Sequence, residues 1–384
     1  MNKHGWTYKK LGEVCETSSG GTPSKSHKEY YEGGTIPWLR SGEVAQGMIY
    51  DTELCITELG LEKSSAKLFP VNTVVIAMYG ATVGQVGLLK NEMATNQAIC
   101  GIFPNSKLSP SFLLYCLKSK KSLFLKDAVG GAQPNISQNL IKNTIIPIPP
   151  LAEQERIVAE LDLLSSIIEK KKTQLKEYDR LAQSIFYDMF EDYNEQICIS
   201  NYIASLGGGK SLAGNEECAN KVLKTGAVTY DYFNGNEVKS LPIDYNPKPE
   251  HLLKDGDILI SRMNTLEYVG ACAYVWKAPN NTYLPDRLWR ATLKDNINPI
   301  YLWFSLIQDS SKKQIRTLAS GTSGSMKNIS IPRFLSIEIK KVPLAIQKLF
   351  ASKIESIEQQ KSLIQQSIVE TQTLFDSRMD YWFD

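Results

Sequence analysis

The chain lacks most of the parts from which enzymes are commonly built. Its 384 residues include only three histidines, His4, His27 and His251, and none stands in an H-x-x-x-H pair or beside a spaced cysteine, so no histidine metal centre is indicated. Seven cysteines without a C-x-x-C pair fit neither a disulfide framework nor a zinc ribbon and read as reduced thiols. No stretch reaches the roughly 18 uninterrupted apolar residues of a membrane span, and MNKHGWTYKKLGEV at the start has no apolar signal core, so a cytoplasmic location is expected. GGGKS at 207–211 resembles a phosphate loop, but Ala204 stands where that loop requires glycine. An adenine methyltransferase tetrapeptide (D-P-P-Y or N-P-P-F) and a strand-borne G-x-G-x-x-G are also missing. Glu338 and Lys340 have the E-x-K spacing of nucleases, with Asp286 as a conceivable partner, yet the alternation of LSIEIKKV along a strand accounts for them.

What is present is duplication. GGAQPNIS at 130–137 returns as SGSMKNIS at 323–330, and the same offset aligns PLAEQERIVAEL (150–161) with PLAIQKLFASKI (343–354). With small gaps, SPSFLLYCLKS (109–119) matches NPIYLWFSLIQ (298–308), WLRSGEV (38–44) matches VLKTGAV (222–228), and FPVNTVVIAMYGATVG (69–84) matches LKDGDILISRMNTLEYVG (253–270). A period this long means two domains of one kind, since solenoid repeats run only about 20–50 residues. Short β-type runs such as TVVIAMY and DILIS, glycine and proline punctuation, and one short helix predict an α+β fold. Two similar α/β heads, 1–149 and 195–342, are each followed by a helical segment, 150–194 and 343–384.

The helical segments carry heptad seams. In the first, Ile157, Leu161, Leu164, Ile168, Leu175, Tyr178, Ala182, Ile185 and Met189 alternate steps of three and four, with Lys171 as the polar interruption. In the second, the seam runs through Phe350, Ile354, Ile357, Lys361, Ile364, Ile368, Thr371, Phe375, Arg378 and Trp382. Prolines 149, 150 and 343 open these helices, as suits a residue tolerated only in the first turn. Each seam needs a cover, and the economical cover is the other helix, antiparallel, with a pseudo-two-fold axis relating the halves. Both heads are net basic and both helical segments net acidic, although the whole chain is only +2.

The order head, helix, head, helix, together with PIPPLAEQERIVAELD (147–162), QPNIS (133–137), AMYGATVGQVG (77–87) and ATNQAIC (94–100), resembles the specificity subunit of type I restriction-modification systems. The second copy departs from the first at Ile346 and Leu349, where the first has Glu153 and Arg156. The resemblance implies that each head is a target recognition domain for half of a split, asymmetric site in double-stranded DNA. It implies that the paired helices act as a ruler and dock two methyltransferase subunits, through which restriction subunits join. It also implies a non-catalytic chain without a cofactor of its own: S-adenosylmethionine belongs to the methyltransferase partner, ATP and Mg to the restriction partner.

On that basis the expected DNA-binding residues are Thr22, Ser24, Lys25, Lys28, Arg40, Tyr79, Gln133 and Asn135 in the first head. In the second they are Lys210, Ser211, Lys224, Arg262, Asn264, Arg287 and Lys327. Asn135 and Asn328 recur in both heads and suit a turn better than a base contact, whereas Arg262 and Asn264 stand where the first head has Met78 and Gly80. The other class of function open to such a chain is a two-headed scaffold that binds proteins rather than DNA.

Overall fold

Strand Val74–Ala77 is buried at every residue, unlike the half-buried alternation of a surface strand. The computed structural model, which describes residues 5–126, 135–321 and 326–383, shows why. Val74 and Ile76 enter a core with helix Pro110–Ser119, whereas Val75 and Ala77 enter a second core with Leu39 and Phe69. The strand lies in a five-stranded sheet whose order is Thr17–Ser19, Ile99–Ile102, Val74–Ala77, Val86–Leu89, Met48–Ile49. A four-stranded sheet of Cys55–Ile56, Ile36–Leu39, Met93–Thr95 and Leu68–Phe69 completes the first head.

The second head repeats the scheme. Strand Ile258–Ser261 sends Ile258 and Ile260 into one core and Leu259 into another, within the sheet Ile203–Gly207, Leu288–Leu293, Ile258–Ser261, Cys272–Tyr274. A three-stranded sheet of Val238–Ser240, Lys221–Leu223 and Thr282–Tyr283 stands beside it. Both heads hold a parallel strand pair, Trp38 opposite Ala94 and Lys221 opposite Thr282. Both are closed by a two-stranded ribbon, Thr7–Lys10 with Ile145–Ile148 and Gln196–Cys198 with Glu338–Lys340. Besides the one expected helix, the first head contains Lys121–Lys126 and Gln138–Asn143.

The long helices are Leu151–Phe190 and Leu344–Phe383. The chain divides into two compact units, Met1–Lys172 with Gln365–Asp384, and Thr173–Ile364, so each helix contributes to both. In the first unit Arg378 pairs with Glu160, and Lys171 donates to Thr371 at 3.2 Å. In the second, Lys361 pairs with Asp179 at 2.8 Å and Phe186 packs on Phe350 with ring centroids 5.6 Å apart. Rising numbers on one helix meet falling numbers on the other, so the segments run antiparallel within each unit. Among the described residues no helix is long and apolar enough to cross a membrane.

Of the expected seam residues, Ile157, Leu161, Ile168, Phe350, Ile354 and Ile357 are buried, and Leu164, Leu175, Ile185, Ile364 and Ile368 are half-buried. The heptad count passes over Phe186 and Phe190, which are buried more deeply than Ile185 and Met189. Their rings pack on Tyr301 and Phe350, so the end of the first helix meets a head as well as a helix and its apolar stripe widens.

The repeated P-L-x-x-Q helix opening has a structural cause. Gln154, fully buried, accepts from the Ser109 backbone N–H at 2.8 Å and donates to the carbonyls of Lys107 and Pro149, both at 2.9 Å. Gln347, equally buried, accepts from the Asn298 N–H at 2.8 Å and donates to the Val342 carbonyl at 2.8 Å. Each amide thus ties the start of a long helix to the start of a head helix, Pro110–Ser119 or Pro299–Ile307. Gln154→Ala is expected to lower the stability of its unit by about 2 kcal/mol, because buried backbone groups lose their partners. Urea denaturation measures the loss, and an unchanged midpoint would show that water replaces the amide.

Candidate functional site

The turn Gly20, Gly21, Thr22 leaves strand Thr17–Ser19 and runs against the backbone of the neighbouring sheet. A Cβ on Gly21 would lie 2.1 Å from the Ser65 carbonyl carbon, so only glycine fits. The second head makes the same approach at Gly209, where a Cβ would lie 1.9 Å from the Leu284 carbonyl oxygen. Each turn then presents a hydroxyl to a side chain that follows a sheet strand. Thr22 donates to Oε1 of Gln97, and Ser211 donates to Oδ1 of Asp286 while accepting from the Asp286 N–H at 3.2 Å. Gln97 and Asp286 occupy equivalent places, because Met78 N–H donates to the Ala98 carbonyl and Arg262 N–H to the Arg287 carbonyl.

Beside each turn stands a cation that begins a 3-10 helix, Arg40 before Ser41–Gln46 and Lys224 before Thr225–Val228. The result is a cleft in each head. The first, about 560 Å³, is lined by Thr22, Lys25, Lys28, Arg40 and Gln97, with Tyr31 and Glu32 on its wall. The second, about 420 Å³, is lined by Ser211, Lys224, Lys239, Asp286 and Arg287. Arg40 is held by Glu43, at 3.4 Å, and by Glu53, and Lys224 lies 3.7 Å from Glu237. Burial pushes the Tyr31 hydroxyl above its ordinary pKa, and it donates to the Pro23 carbonyl of the same loop.

Seven of the expected binding residues therefore share two clefts: Thr22, Lys25, Lys28 and Arg40 in one, Ser211, Lys224 and Arg287 in the other. Ser24 lies on the first loop, hydrogen-bonded to Ser26 at 2.7 Å, and exposed Lys210 precedes Ser211. Gln97, Tyr31, Asp286 and Lys239 were not expected as binding residues, and no local pattern marks them: Thr22 and Gln97 meet only because the neighbouring strands Thr17–Ser19 and Ile99–Ile102 pair.

A second group surrounds the duplicated turn. Tyr79 and Asn135 form an antiparallel bridge, and Ile136 N–H donates to the Met78 carbonyl at 2.9 Å. In the other head Met263 pairs with Asn328 and Asn264 with Lys327, while Ile329 N–H donates to the Arg262 carbonyl at 3.1 Å. The described end of the repeated phrase, Asn135–Ile136 or Asn328–Ile329, thus latches onto the end of a central strand through backbone bonds and buries one isoleucine, which accounts for its recurrence in both heads. Ser137 then caps the following helix by accepting from the Leu140 N–H at 3.1 Å. Gln133 lies outside the described residues. Lys327 is turned back to the Gly321 carbonyl at 2.9 Å. The Arg262 Nε is buried without a hydrogen-bond partner among the described residues. Glu338 and Lys340 lie on a closing strand, with Lys340 donating to the Phe190 carbonyl, and Asp286 faces Ser211, so the nuclease-like spacing gathers no site.

Two heads of one construction, each with a basic cleft and a differently furnished loop beside it, make this a duplicated, two-headed protein. The chain belongs to the type I restriction modification DNA specificity domain family, whose profile matches residues 3–177 and 209–372. It is 34% identical over 193 residues to the type I restriction enzyme MjaIX specificity subunit of Methanocaldococcus jannaschii, covering 49% of this chain and 44% of that subunit. Over 382 residues it is 25% identical to the EcoKI specificity subunit of Escherichia coli, covering 92% of this chain and 82% of the other. The fold is that of the type I S subunit from M. genitalium, with a TM-score of 0.58 at 14% identity over 100% of this chain and 97% of that one. A chain from a type I R-M system assembly gives a TM-score of 0.61 at 18% identity over 99% and 98% of the two chains.

Proposed function

We propose that the chain reads a split, asymmetric DNA site, one half with each head, and that it performs no chemistry of its own. The observation that carries this reading is the pair of equivalent basic clefts, one per head, each beside a loop on which the heads differ. Arg262 and Asn264 against Met78 and Gly80 are such differences, and they suit two unlike half-sites.

The long helices seat two adenine methyltransferase subunits, which bring S-adenosylmethionine, and restriction subunits bring ATP and Mg to the same cytoplasmic complex. Support for paired docking comes from outward leucines at matched places, Leu181 at 47% and Leu374 at 50% exposure, one on each helix. Mapping methyladenine in a host that carries this chain with its methyltransferase is the test. A two-part sequence with unlike halves is expected, and methylation without such a motif, or none dependent on the chain, would sink the reading in favour of a protein-binding scaffold. Within the same assay, Arg262→Ala is expected to relax one half-site by about 1–3 kcal/mol of discrimination and leave the other half intact.

A further inference from the structure

Gln97 and Asp286, Thr22 and Ser211, and Arg40 and Lys224 are matched between the heads, but the remaining charges of the two clefts are not. In the first head the other cations, Lys25 and Lys28, come from the loop after the glycine turn. In the second they are Lys239, on strand Val238–Ser240, and Arg287, which stands where the first head has Ala98. Three cations and one carboxylate nevertheless line each cleft, with Glu32 as the acid in one and Asp286 in the other.

We infer that the two clefts hold the phosphate backbone of DNA, and that the base-reading residues lie outside them. The inference rests on the DNA-binding reading above. Two heads that read unlike half-sites share one chemical partner, the repeating phosphate, and a site for a shared anion conserves charge rather than residue identity. Base contacts impose the opposite pattern. Each needs a particular donor or acceptor at a fixed place, so positions that serve different bases keep their location and change their chemistry. Arg262 against Met78 follows that second pattern; in the clefts single positions change, Gln97 to Asp286 and Ala98 to Arg287, but the set of three cations and one acid is kept, which is the first pattern. Glu53 beside Arg40 and Glu237 beside Lys224 are 71% and 41% exposed, so DNA phosphates displace them at small cost, while the buried Glu43 stays on Arg40.

The test uses the purified full chain with a duplex containing its mapped site and a duplex of unrelated sequence, titrated over a range of salt. Lys224→Gln and Lys239→Gln are each expected to weaken both duplexes by the same factor and to reduce the slope of log affinity against log salt by about 0.9. Lys224→Arg, which keeps the charge, restores both. Thermal unfolding identifies a variant that has lost its fold, in which case the other lysine variant decides. A loss confined to the cognate duplex, or methylation at new sequences, would make the cleft a base reader and overturn the inference. Unchanged affinity and slope would remove the cleft from the DNA interface. If the wild-type chain binds neither duplex, the DNA reading fails first and takes this assignment with it.

Discussion

Lys312→Ala is expected to destabilise the second unit by about 2–3 kcal/mol, less than the cost of breaking a fully buried ion pair because the Asp231 side chain left behind is 30% exposed. Lys312 is 7% exposed, and its Nζ donates to the Asp231 carboxylate and to the Gly270 carbonyl at 3.3 Å. Asp231 also accepts from the Cys272 N–H at 2.8 Å, and its own carbonyl accepts from the Trp303 indole at 3.1 Å. The residue sits at φ 61°, in the left-handed region that a side chain enters only when its surroundings hold it there. The first head shows the alternative. Its equivalent residue after the 3-10 helix is Gly47, at φ 79°, with no carboxylate to satisfy. Lys312→Met combined with Asp231→Gly should therefore recover most of the loss, since an apolar replacement of a buried pair is often close to neutral. Urea denaturation of the single and double variants measures both numbers. A double variant no more stable than Lys312→Ala would show that the pair organises the loop rather than compensating for its own burial.

Lys361→Ala should cost about 3 kcal/mol or more and should become less harmful as the solution is acidified. Lys361 Nζ lies 2.8 Å from Asp179 and 2.6 Å from Glu358, and 5.2 Å above the ring of Tyr232. Removing it leaves two carboxylates near one another in a site where Glu358 is 12% exposed. Burial already holds the Glu358 carboxyl above its usual pKa although its hydrogen bond to Lys361 opposes that shift, so losing the lysine raises it further. A carboxyl whose folded pKa exceeds its unfolded value binds its proton more tightly when folded. The penalty is therefore present above the raised pKa and fades below it. Stability measured at pH 8 and pH 5 should show the gap between variant and wild type narrowing at the lower pH. A constant gap would mean that the loss is one of packing against Tyr232.

The matched phrases, the proline-opened helices and their seams were legible in the sequence because each is local or strictly periodic. Strand Val74–Ala77 was legible as a buried run, but not that its residues alternate between two cores, since no sequence pattern distinguishes one apolar face from another. Phe186 and Phe190 escaped the heptad count because the surface that covers them, Tyr301 and Phe350, comes from elsewhere in the chain.

By itself the sequence determined that the protein is a doubled module with two net basic heads, and that its family is one of DNA specificity domains. Those properties reside in repetition, composition and short motifs, which survive without knowledge of contacts. The tertiary structure decided which charges converge. Lys25 and Arg40 reach one cleft, and Lys239 and Arg287 the other, only after strands distant in sequence have paired. Electrostatic attraction depends on distance in space, and only the folded sheets set that distance.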